Sequence, residues 1–64
     1  PPEEIDQVLA QIEQMPPDQA LLALEDLLAE APEELRNLVE QAKTLPPEQQ
    51  VAAVGIIIRS LRGQ

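Results

Sequence analysis

The sequence predicts an all-α fold: four short antiparallel helices from a duplicated helical hairpin, closed into a compact four-helix bundle or stacked as a short hairpin array. Three observations predict it. Prolines at positions 2, 17, 32 and 47 recur every 15 residues, three of them preceded by a second proline (Pro1, Pro16 and Pro46). Between the prolines, apolar residues recur at helical spacing. A shift of 30 residues then lays the pattern of the first half over the second. Proline is tolerated at the first position of a helix, where its missing N–H has no intrahelical partner, but it breaks a helix interior. The 64 residues therefore read as one domain with helices over about 2–15, 17–30, 32–45 and 47–62, each roughly 20 Å long at about 1.5 Å per residue.

The first helix places Ile5, Val8, Leu9, Ile12 and Met15 on one face, the spacing of an amphipathic helix. The second presents Ala20, Leu21, Leu24, Leu27, Leu28 and Ala31. The third repeats the first with Leu35, Leu38, Val39, Ala42 and Leu45. The fourth presents Val51, Val54, Ile57, Ile58 and Leu61. Pro2-Glu3-Glu4 recurs as Pro32-Glu33-Glu34, and Pro16-Pro17 as Pro46-Pro47, so the chain reads as a repeated helical hairpin. One hairpin of short helices is marginal alone, and two can bury their apolar faces on each other. Links of two or three residues favour antiparallel neighbours.

The helix ends carry matching signals. Glu3, Glu4, Asp18, Glu33, Glu34 and Glu48 fall in first turns and Arg59 and Arg62 near the last C-terminus, each opposing the helix dipole. Gly63 is placed for a C-terminal stop. The N-cap positions hold Pro or Ala, so proline geometry takes over the punctuation. The run Ile56-Ile57-Ile58 is locally poor for a helix, and packing must override it.

Composition excludes several classes of function. The chain has no Cys, no His and no aromatic residue, so disulfides and thiolate metal sites are impossible, and the compartment stays open. Net charge is −8, all of it in residues 1–31; residues 32–64 balance four acids against Arg36, Lys43, Arg59 and Arg62. Such a chain is repelled by phosphate and by anionic membranes, which argues against a nucleic-acid or membrane partner. No signal peptide is visible, and the longest apolar run, residues 51–58, is too short to span a bilayer.

No catalytic, cofactor-binding or metal-binding site is expected. Without His, a nucleophile would need Ser60 to meet Lys43 in space, and Ser60 reads as a solvated serine instead. The pairs Glu3-Glu4 and Glu33-Glu34 are explained by the helix dipole, and Glu25, Asp26 and Glu30 by an acidic outer face without a calcium loop. No cofactor or small-molecule substrate is implied. Gly55, inside the fourth helix, costs roughly 1 kcal/mol relative to alanine; close approach by a backbone or partner and simple tolerance are both open.

Some apolar residues do not fit a monomer. On a helical wheel Ile56 falls about 160° from the core side of the fourth helix, with Ala52 beside it and Ala53 on the flank. The corresponding position of the second helix is Leu22. Leu22, Ala52, Ala53 and Ile56 are therefore the candidate interface. A helix apolar nearly all round is expected where it is enclosed on both sides. The expected role is a structural, self-associating module, a homo-oligomer joined through the fourth helix. The alternative is a heterotypic protein-binding module using the same face.

The helix openings Pro-Pro-Glu-Glu, Pro-Pro-Asp, Ala-Pro-Glu-Glu and Pro-Pro-Glu-Gln, with the equal helix lengths and minimal loops, resemble those of computationally (de novo) designed helical miniproteins. The resemblance implies an idealised bundle made to self-assemble or to bind a chosen target, without enzyme activity. Few Lys and Arg, weak N-cap side chains and the Gly55–Ile58 run depart from that style and leave a natural origin open. The segments Gln11-Ile12-Glu13-Gln14-Met15, then Pro16-Pro17-Asp18-Gln19, and Leu45-Pro46-Pro47-Glu48-Gln49-Gln50 are similar to helix junctions in the N-terminal domain of cyanobacterial orange carotenoid proteins. That family holds its pigment with aromatic residues, which this chain lacks, so pigment binding is not implied.

Overall fold

Three of the four helices begin at a proline and the third begins directly after one, and the computed structural model, which describes residues 2–63, shows how. The helices are α1 (Pro2–Glu13), α2 (Pro17–Leu27), α3 (Glu33–Lys43) and α4 (Pro47–Arg62). Pro1 and Gln64 lie outside the described residues. Pro16, Pro32 and Pro46 occupy the N-cap positions of α2, α3 and α4, with φ near −56°, −54° and −60° and ψ of 147°, 149° and 156°. None offers a side-chain cap. The extended ψ turns the proline carbonyl into the first helical acceptor instead: Pro16 O accepts from Ala20 N at 2.8 Å, and Pro46 O from Gln50 N at 3.0 Å. The second proline of each Pro-Pro pair then sits inside the helix with no N–H to satisfy.

The third helix departs from the expected start. Only one proline precedes it, and that proline is the N-cap rather than the first helical residue, so α3 opens at Glu33. Ala31 belongs to the preceding turn, where its N–H donates to Leu28 O at 3.0 Å.

The C-terminal ends depart more. The first three helices stop two or three residues short of the expected ends at 15, 30 and 45, and only α4 runs to Arg62. A residue before proline is driven out of the helical region, and the chain tightens ahead of it. Met15 N donates to Ile12 O and Leu45 N to Ala42 O, both at 3.1 Å, in three-residue turns. The links are three, five and three residues long. Gly63 caps α4 with φ −77°, and no described residue has positive φ. The stop is thus made in right-handed geometry, without the left-handed glycine cap that the sequence suggests.

The four helices form an all-α bundle with a Cα radius of gyration of 10.8 Å, as expected for a compact chain of this length, about 10.7 Å. α2 and α4 form the inner pair: each packs on all three other helices, whereas α1 and α3 do not touch among the described residues. The core is Leu9 and Ile12 from α1, Val39 and Ala42 from α3, and Ala20, Leu21, Leu24, Val54, Ile57 and Ile58 from the inner pair, closed by Leu28. It contains no buried polar side chain. Ile57 and Ile58 are 4% and 0% exposed, so burial outweighs their weak helix propensity, worth only a few tenths of a kcal/mol each.

Between helices, the polar contacts are few. Lys43 Nζ donates to Glu25 Oε2 across α2 and α3, and within α3 to Glu40 Oε2 at 3.2 Å. Arg62 Nη2 meets Glu13 Oε1 at 2.9 Å, joining α4 to α1. Gln50 Nε2 donates to Lys43 O at 3.2 Å, so a side chain from the first turn of α4 satisfies a carbonyl at the end of α3.

Candidate association surface

The bundle leaves much apolar surface outside. The chain exposes 4527 Å², against about 4,000 Å² for a typical folded monomer of this mass. Six residues expected in the core are largely exposed: Ile5, Val8, Met15, Leu27, Leu38 and Val51. The reason is geometric. α1 and α3 are each covered only by the inner pair, so one side of the stripes that carry Ile5, Val8 and Leu38 has no neighbour, whereas Leu27 and Val51 are exposed near the ends of α2 and α4. Val8 and Leu38, thirty residues apart, are 40% and 42% exposed.

Most of the exposed apolar residues line one of three clefts, Val8 and Leu22 apart. One lies between α3 and α4, has a volume of about 220 Å³ and is lined by Leu38, Ala42, Leu45, Ala53, Ile56 and Ile57. A second, about 270 Å³, opens at the end of the bundle between Ile5, Leu27, Leu35 and Leu61. The third, about 250 Å³, lies between Met15 and Pro17 on one side and Val51 and Gly55 on the other. Each is smaller than the roughly 300–1,000 Å³ pockets that enclose small ligands. They are the size of an aliphatic side chain or two.

Of the residues singled out in the sequence, Ile56 stands 56% exposed at the lip of the α3–α4 cleft. Ala53 lines the same cleft and is partly buried against the core. Ala52 is exposed one turn before Ile56. Leu22 is 56% exposed but lines none of the three clefts. It lies on the side of α2 turned away from Leu21 and Leu24, outside the groove that Ile56 borders. Leu38 was missed as a surface residue, although its place on α3 is what turns Ile56 from a lone apolar residue into the rim of a groove. No signal in the sequence marks Leu38 apart from the buried Val39.

The charges frame this face. Arg62 and Lys43 are held in ion pairs, whereas Glu48 and Arg59 make none among the described residues. A wider trough of about 560 Å³ between α2 and α3 carries Glu25, Asp26, Glu33 and Glu40 beside Arg36. No described group of three or more carboxylates is close enough to hold a metal ion. No described helix is long and apolar enough to cross a membrane. Comparison with protein-family models, curated proteins and solved structures finds no match to this chain.

Proposed function

We propose that this chain is a non-catalytic association module that pairs with a second copy of itself through the outer face of α3 and α4, centred on Ile56. One observation carries the reading: Ile56 and Leu38, 56% and 42% exposed, flank a groove floored by Ala42 and Ala53. Covering an exposed isoleucine gains up to about 1.5–3 kcal/mol, and a groove of side-chain size beside it gives a partner somewhere to seat its own. The idealised bundle plan, with its proline-set helices, supports a scaffold made for assembly.

A second reading gives the same face to another protein. The net charge of −8 favours it, because two copies repel each other and a neutral or basic partner would not.

Light scattering over a range of concentrations tests the first reading. The expected result is a mass above one protomer that falls on dilution. Ile56→Glu should return the mass of one protomer at every concentration while the helical circular dichroism stays unchanged. A wild-type chain that is monomeric at millimolar concentration removes self-association and leaves the heterotypic reading.

A further inference from the structure

The outer stripe of α4 is complementary to itself when reversed. Glu48, Ala52, Ile56 and Arg59 fall within one sector of about 80° on the helix, turned away from Val54, Ile57 and Ile58. Ala52 and Ile56 are equally distant from residue 54 along the axis. Glu48 lies about 9 Å to one side of that point and Arg59 about 7.5 Å to the other, at about 1.5 Å per residue. Glu48 and Arg59 are exposed and without ion-pair partners among the described residues.

Resting on the self-association reading above, we infer that two copies join as an antiparallel, two-fold symmetric α4–α4 pair whose axis crosses the outer stripe at the level of residue 54. A two-fold contact repeats every interaction twice and needs a surface that matches its own reverse. Here the match is complete at three levels. Ala52 faces the partner's Ile56, a small side chain against a large one. Glu48 reaches the level of the partner's Arg59, on the same side of the seam. Gln49 meets the partner's Ser60 on the other side. The partner's Ile56 then sits at the mouth of the groove between Ala53 and Leu38, which continues the apolar contact onto α3. A parallel pair would instead set Glu48 against Glu48 and Arg59 against Arg59. The antiparallel register is the one that neutralises these charges, which select orientation more than affinity.

Charge reversal on the full chain tests the register. Dimerisation constants of the wild type, Glu48→Arg, Arg59→Glu and an equimolar mixture of the two variants are measured by sedimentation equilibrium. Each variant alone should dimerise about tenfold more weakly, because both symmetric pairs become repulsive, at the scale of exposed ion pairs. The mixture should recover the wild-type constant, because each reversed residue then faces its opposite. Glu48→Arg makes the protomer less acidic, so relief of general repulsion would tighten association; weakening therefore reports the specific pair. A wild-type dimer with Glu48→Arg equally tight or tighter overturns the antiparallel register and leaves self-association standing. A wild-type chain monomeric at millimolar concentration overturns both.

Discussion

Single residues carry two different kinds of signal here. Gly55 lies inside α4, and a Cβ added there meets no atom within 4 Å, so within this chain nothing requires the glycine. Gly55→Ala should therefore raise stability by about 0.5–1 kcal/mol through helix propensity alone, seen as a melting temperature higher by roughly 2–8 °C. Lys43 is the opposite case, a side chain bound on two sides. Its hydrogen bond holds Glu25 below the ordinary carboxylate value of 4.5, and Glu25 holds Lys43 above 10.5. A lowered carboxylate pKa contributes stability at pH above 4.5, lost as pH falls through the lowered value; a raised lysine pKa contributes below 10.5 and fails as pH rises beyond its raised value. Lys43→Gln should accordingly flatten the loss of stability from pH 5 to pH 3 in urea titrations. Both side chains stay partly exposed, so the change is small and screened by salt.

At the scale of the helix, the two halves of the sequence are alike in pattern and unlike in burial. Leu27 and Ile57 are thirty residues apart, yet Leu27 is 42% exposed and Ile57 4%. Leu21 and Val51 reverse the relation, at 1% and 59%. The cause is where each helix sits along its neighbours, which periodicity does not encode. Ile57→Ala should cost about 2–5 kcal/mol by chemical denaturation, within the range for emptying a core site, and Leu27→Ala less than about 1 kcal/mol. Proline spacing made the helix starts legible to within one residue, because proline acts through its own backbone. The ends were less legible: Leu28 and Thr44 terminate α2 and α3 with negative φ, and neither residue announces a stop. Ile56 and Ala52 could be placed outside α4 from the helical repeat alone. That Leu38 shares a groove with Ile56, and Leu22 does not, depends on which helices touch.

For the whole molecule, the all-α bundle was readable because four stripes of similar width need one another. The stripes promised more core than four short helices can enclose, since a chain this small buries only about 60% of its unfolded surface. α1 and α3 flank an inner pair without meeting each other. That placement sets an order of release. Amide protons of α2 and α4 should reach solvent only when the bundle opens as a whole, whereas an outer helix has only two neighbours to lift from before it closes again. In deuterium, the central amides of α2 and α4 should exchange last and at the rate of global unfolding, with α1 well ahead of them. Equal protection across all four helices would mean that the outer pair cannot leave without the inner one. An inner pair shut until the whole bundle opens would keep the outer stripe of α4 in one shape while α1 lifts and closes on the other side of it.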